Sequence, residues 1–200
     1  MQLVRPSAVH LLDYTAALRL GWSPISTRPQ AAQEELLAIK ADASDYLRWM
    51  DDPEGQGPPI TLADGQQVSR LPTLRRWLWA DDADLQHAGA HPATPGWRRF
   101  IGVISLRWMT GNAPLPPYVL GHVGYAIVPW HAGHGHASAA LAAMLPLARA
   151  QGLDHIELTT EPDNLASQRV ITRNGGIFVE HFNKGASYGE QPGLRYRIQL

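Results

Sequence analysis

Apolar and polar positions change their spacing several times along the chain, and each change predicts an element. Gln2 to Pro6 reads as a short strand. From about Ser7 to Leu20, apolar Val9, Leu12, Ala16 and Leu20 predict a helix with one apolar stripe. Trp22-Ser-Pro-Ile-Ser-Thr-Arg-Pro29 breaks it. A second helical stretch runs from Gln33 to Met50, with Leu36, Leu37, Ile39, Tyr46, Leu47 and Met50 near helical spacing. Asp51 to Pro59 is dense in turn formers and reads as loop. Thr73 to Ala80 reads as a strand carrying Trp77 and Trp79 on one face, and Phe100 to Met109 as the next strand. Between them, the small, acidic and proline-containing stretch from Asp81 to Pro95 predicts a mobile hairpin loop.

The second half alternates strand and helix. An apolar strand ends at Pro129, which has no N–H for a ladder. A helix follows from about His136 to Gln151, with Pro146 in its interior, where a kink is expected, and Gly152 as its stop. His155 to Thr160 is a strand with Ile156 and Leu158 facing one way. Leu165 to Arg173 is a short helix closed by Asn174-Gly175-Gly176. Ile177 to Phe182 and Leu194 to Gln199 form a hairpin-like pair. No internal repeat is visible, and residues 1–200 are expected to form a single domain.

Composition narrows the function more than the fold. Seventeen basic residues stand against eighteen acidic ones, without a basic arm or stripe, so nucleic acid is not an expected partner. Cysteine is absent, which excludes a disulfide framework, a thiol nucleophile and a zinc–thiolate site. No apolar run approaches the ~20 residues of a membrane span, and Met1 to Arg5 opens no signal peptide. The expectation is a cytoplasmic protein without a membrane partner; a homodimer stays open.

The densest chemical signal lies in Val119 to Leu141, VLGHVGYAIVPWHAGHGHASAAL. A strand, a loop with Gly133 and Gly135, and an alanine-rich helix make a recipe for holding phosphates. Glycines let backbone approach an anion, and the first helical turn offers free N–H groups. A plain connector with no ligand would share this outline. His131, His134 and His136 form H-x-x-H-x-H, which offers three nitrogens to a metal. No carboxylate sits beside them, and a phosphate-facing role suits the loop better, so no metal is expected.

The order P-x-x-x-G-x-G-x-A after that strand resembles the acetyl-CoA pyrophosphate loop of the GNAT superfamily of N-acetyltransferases. Asn164-Leu-Ala-Ser167-Gln-Arg169-Val-Ile-Thr-Arg-Asn174-Gly175-Gly176 is similar to that superfamily's second cofactor segment. With the terminal strand LRYRIQL, these segments resemble a subgroup of bacterial acetyltransferases known mostly by sequence. The resemblance implies a GNAT acyl-CoA N-acyltransferase fold of the α/β (α+β) class, with a central, mostly antiparallel mixed sheet flanked by helices. It implies acetyl-CoA as co-substrate and a small-molecule or peptide amine as acceptor, acetylated by direct attack. The two N-terminal helices would wall the acceptor side, where Trp22, Trp49 and the 51–59 loop could line a groove, although buried packing is the commoner job of a tryptophan.

By the same resemblance, Ile127 and Val128 would pair their backbone with the pantetheine arm, and an amide nearby would polarise the thioester carbonyl. His131, Gly133, His134, Gly135, His136 and Ala137 would cradle the pyrophosphate, and Asn164, Ser167 and Arg169 would touch the cofactor. Asn164 also precedes a helix and suits an N-cap. Two departures stand out. Ala132 occupies a position where the family usually has Arg or Gln, and Ile171 stands where many members carry a tyrosine acid. For proton transfer the candidates are His122, Tyr125 and Glu157, with Glu180 and Tyr188 as fallbacks; His122 has an unperturbed pKa suited to base work near neutrality. The departures leave a second reading open, a catalytically silent acyl-CoA-binding module on the same fold.

Overall fold

The computed structural model describes residues 1–62, 65–82, 84 and 99–200, with Asn112 described for its backbone only. Residue 83 and residues 85–95 of the expected hairpin loop lie outside the described residues. Among the described residues no helix is long and apolar enough to cross a membrane. The chain groups into two compact units. One comprises Met1–Asp52, Leu74–Ser105 and Tyr125–Ala140; the other comprises Pro53–Thr73, Leu106–Gly124 and Leu141–Leu200.

The first unit holds β1 (Gln2–Val4), α1 (Leu11–Arg19), α2 (Ala31–Ala41) and α3 (Ala43–Arg48). It also holds most of β4 (Thr73–Trp79) and β5 (Phe100–Arg107) and the end of β6 (Val123–Ile127). Strand order in this sheet is β1-β4-β5-β6. β1 runs antiparallel to β4, with Leu3 opposite Leu78. Gly102 marks the closest approach of two strands: a Cβ there would lie 2.2 Å from the Ala126 carbonyl oxygen.

The core of this unit is aromatic. The Tyr14 ring stacks on Trp77 at 4.4 Å between centroids, and Phe100 meets Tyr14 and Trp22 edge-on at 5.3 and 5.2 Å. The expected stripe of α1 is therefore corrected, although Ala16 of that stripe is fully buried. Val9 is 82% and Leu12 64% exposed, because the first turn (Ala8–His10) is 3₁₀ and the buried face is Leu11, Tyr14 and Leu18, another helical stripe. The expected single helix over 33–50 is likewise two. Asp42 adopts an extended backbone and its carboxylate accepts from the amides of Ser44 and Asp45, both at 2.9 Å, starting α3 afresh.

The second unit holds the hairpin β2 (Ile60–Thr61) and β3 (Gln67–Val68), absent from the sequence reading, and the antiparallel sheet β7-β9-β8. Here β7 is His155–Thr160, β8 Ile177–Asn183 and β9 Pro192–Gln199. Leu158 faces Tyr196 across β7 and β9, and a bulge between Phe178 and Glu180 shifts the β8 register. Ile156, Leu158 and Ile198 are buried, so Glu157, Arg195 and Arg197 belong to the opposite face. α4 (His136–Ala150) contains Pro146 without ending there, and Gly152, at φ +79°, closes it as expected. α5 (Leu165–Arg173) ends at Gly175, also at positive φ. Antiparallel sheets with helices give the α+β class the sequence led us to expect.

Candidate functional site

The glycine loop belongs to the first unit. β6 ends at Ile127, Pro129 opens a 3₁₀ turn over Pro129–His131, and α4 begins at His136. Gly133 and Gly135 have φ of +83° and +80°, a region closed to most L-residues, and a Cβ on either would meet no atom within 4 Å. The loop from Ala132 to Gly135 is exposed, so its backbone opens to solvent at the start of a helix. This arrangement can hold an anion.

The three histidines gather but do not share one environment. His131 and His136 are buried and their rings lie 5.7 Å apart; exposed His134 lies 6.2 Å from His136. Burial lowers the pKa of His136; Asp84, whose carboxylate is 3.9 Å from Nδ1, opposes this, and the neighbouring histidines add to it. Among the described residues no three histidine or acidic side chains are grouped to hold a metal.

On β6 the two backbone candidates differ. The Val128 amide donates to the Ile101 carbonyl at 2.9 Å, so it is committed to β5. By the alternation of a strand, Ile127 turns its backbone to the other edge, and its carbonyl accepts from the Trp22 indole N–H at 3.2 Å. That edge is where a further strand-like ligand would pair, since β6 ends its sheet. Trp22 takes the packing role rather than the groove role, buried in the aromatic core. Trp49 is half-buried and donates to Asp45. Tyr125, also of this unit, is half-buried.

In the second unit His122 and Glu157 come together. The His122 amide donates to the Glu157 carbonyl at 2.7 Å, and the Glu157 amide donates to Nδ1 of His122 at 3.0 Å. Burial pushes the His122 pKa down to about 4, against a smaller pull from Glu157. Burial acts to raise Glu157, but hydrogen bonds from Arg197 (2.7 Å) and Arg195 (2.9 Å) outweigh it and hold the carboxyl below its ordinary range. Of the fallbacks, Glu180 accepts from Arg195, and the Tyr188 hydroxyl donates to the Tyr118 carbonyl.

Asn164 caps α5, its side chain accepting from the Ser167 amide at 3.0 Å. Ser167 is half-buried and Arg169 exposed. Ile171 is buried, and a Cβ on Gly176 would fall 2.3 Å from its Cγ2. The second glycine of the pair thus serves close packing against Ile171, a pairing that sequence reasoning missed. It also missed Arg195 and Arg197; alternating charge in LRYRIQL was the available signal.

Comparison with known proteins bears on the family and the fold. The acetyltransferase (GNAT) domain family matches residues 35–177. None of the curated proteins matches the sequence. Among solved structures, similarity extends to the Salmonella typhimurium acetyl transferase that modifies the N-terminal serine of ribosomal protein L7/L12. That match has 13% identity, covers 99% of this chain and 94% of the other, and has a TM-score of 0.56. The ribosomal L7/L12 α-N-protein acetyltransferase RimL in complex with coenzyme A is similar at 14% identity, with coverage of 99% and 93% and a TM-score of 0.53. The microcin C7 self immunity acetyltransferase MccE in complex with acetyl-CoA and AMP is similar at 12% identity, 99% and 91% coverage and a TM-score of 0.53. At such identities the neighbours speak for the fold, and the family match spans most of the sequence: the chain belongs to the GNAT acetyltransferase family.

Proposed function

We propose that this protein transfers an acetyl group from acetyl-CoA to an amine by direct attack. The observation that carries the reading is the exposed loop at the start of α4, with Gly133 and Gly135 at positive φ and open space where a Cβ would lie. Its backbone suits a pyrophosphate without the missing Arg or Gln at Ala132. Residues from both compact units fall within the family match, which supports reading them as one catalytic domain. An acetyl-CoA-dependent reaction fits the cytoplasm expected from the sequence.

For the pantetheine arm, Ile127 is the backbone partner on β6, and Val128 is set aside because Ile101 occupies its amide. When bound, acetyl-CoA supplies the thioester; an N–C bond forms as the amine nitrogen attacks its carbonyl carbon, the C–S bond breaks, and the proton the nitrogen sheds ends, through water, on the departing thiolate. His122 serves as a strut in this reading. Its Nδ1 lone pair is spent on the Glu157 amide, so the ring carries its proton on Nε2 and has no lone pair left for a base. Glu157, held by two guanidinium groups, is too weak a base for an ammonium. The amine therefore reaches the thioester neutral, its proton passing to water.

Release of free CoA thiol from acetyl-CoA, followed spectroscopically across a panel of amines, tests the reading. The panel includes an L7/L12 N-terminal serine peptide, because neighbouring structures act on that group. Amine-dependent thiol release is expected. Calorimetric binding of acetyl-CoA without release for any amine would instead favour the silent acyl-CoA-binding module.

A further inference from the structure

The second unit contains a cavity of about 530 Å³ that the acyl-transfer reading does not use. One wall is the proline-rich segment with Pro114, Leu115 and Pro116; the other is the face of β7 and β9 carrying His155, Glu157, Arg195 and Arg197. The volume suits a small organic molecule, and strands form its floor.

The charges of the lining are unequal. Lys184, Arg195 and Arg197 face one carboxylate, Glu157. Lys184 is spent on Glu161 at 2.5 Å. Arg195 is spent as well: Nε donates to Glu180 at 2.9 Å, Nη1 donates to Glu157 and to the Leu120 carbonyl, and the guanidinium lies 4.5 Å over the Phe182 ring. Arg197 differs. Nη2 donates to Glu157 at 2.7 Å, but Nε is buried and has no hydrogen-bond partner among the described residues. Nε lies out of a ligand's reach, but the side chain is 42% exposed and its fork holds one carboxylate only, so its outer N–H groups can donate to a ligand oxygen. Glu157, already shared by two guanidiniums, offers nothing to a cation.

We infer that this cavity binds a small amphipathic acid, its carboxylate or phosphate on Arg197 and its apolar body against Leu115, Pro116 and Phe182. Arginine suits both headgroups because its planar fork presents parallel N–H donors. The inference stands apart from acetyl transfer and does not require it.

The test titrates the full chain with phenylpropionate, phenyl phosphate and the uncharged phenylpropionamide, following amide chemical shifts. The acids should bind at least tenfold more tightly than the amide, with shifts centred on Arg197 and Leu115. Whichever acid binds more tightly assigns the headgroup. Arg197→Gln should abolish the preference for acid over amide, and Arg197→Lys should restore part of it. Leu115→Trp, which fills the cavity from the loop side, should weaken all three ligands and decides the matter if Arg197→Gln fails to fold. Equal binding of acid and amide, an acid preference that survives Arg197→Gln, or binding left undiminished by Leu115→Trp overturns the inference. Acid binding that persists with shifts confined to Gly133–Ala137 would also overturn it, because the anion would then sit on the glycine loop.

Discussion

His122 and Glu157 hold each other by reciprocal hydrogen bonds, the amide of each reaching an acceptor on the other at 2.7 and 3.0 Å. Burial pushes the His122 pKa down to about 4, and a ring whose Nδ1 accepts from a backbone N–H would also have to break that bond to become cationic. The sign follows from linkage. The folded-state pKa lies below the unfolded value of roughly 6.5, so the stabilisation is complete above pH ~6.5 and is lost as pH falls towards 4. Denaturant unfolding at pH 7 and pH 4.5 should show wild type losing more stability than His122→Ala over that interval. As a strut, His122 should also leave the acidic limb of the pH–rate profile in place when replaced. A limb that disappears in His122→Ala would restore it as the base.

Gly135 gives a cleaner test of the loop than a bulky replacement. Because a Cβ there meets no protein atom, Gly135→Ala strains only φ, at a cost of about 1 kcal/mol. Gly21, at φ +87° and equally uncrowded, supplies the control. Both variants should lose similar stability, while only Gly135→Ala should weaken acetyl-CoA binding, by tenfold or more in calorimetry. Equal affinities in the two variants would remove the loop from the cofactor site.

What could be read in advance divides along physical lines. Pro129, the two loop glycines, Gly152 and the Asn164 cap act through local backbone geometry, so their residue types sufficed. The β7 and β9 strands were legible because their alternation matches their burial. The α1 stripe was misread because apolar residues lie on more than one face of that helix, and the stacking of the Tyr14 ring on Trp77, from a distant strand, decides which face is buried. The break at Asp42 depended on a carboxylate competing for backbone amides, against good helix formers on both sides. The commitment of Val128 to β5, the reciprocal hold on His122 and the unpartnered Arg197 Nε are products of strand pairing, which no single stretch of sequence encodes.

Glu35 joins helices to sheet inside the first unit. It accepts from the hydroxyls of Tyr14 and Tyr46, and from both terminal nitrogens of Arg75 at 3.3 Å. Burial opposes charge on Arg75, but Glu35 and the two hydroxyls outweigh it, and the guanidinium is held above its ordinary value. Removing one partner strands the other, at about 3–5 kcal/mol. Arg75→Met and Glu35→Leu should each destabilise by about that amount in denaturant melts. The double variant should lose clearly less than the sum of the two. Additive losses would mean that the pair is not coupled.

The loop histidines should make cofactor binding take up protons, in a window set by His136. Its pKa lies below the ordinary 6.5 because burial and the neighbouring histidines oppose the charge more than Asp84 supports it. Phosphates arriving at the loop favour an imidazolium and raise that pKa. Uptake therefore begins near the lowered value of the free protein and ends at the raised value of the complex, and affinity falls as pH rises through that interval. The phosphate monoester of CoA titrates near pH 6 and acts oppositely, since its dianion binds better; 3′-dephospho-CoA removes that contribution. Calorimetry of 3′-dephospho-CoA in two buffers of different ionisation enthalpy counts the protons directly. Wild type should take up a fraction of a proton near pH 6, and His136→Gln should take up markedly less with His131 left in place to keep the turn packed. Identical proton counts in the two proteins would mean that His136 does not face the phosphates and that backbone amides alone hold them.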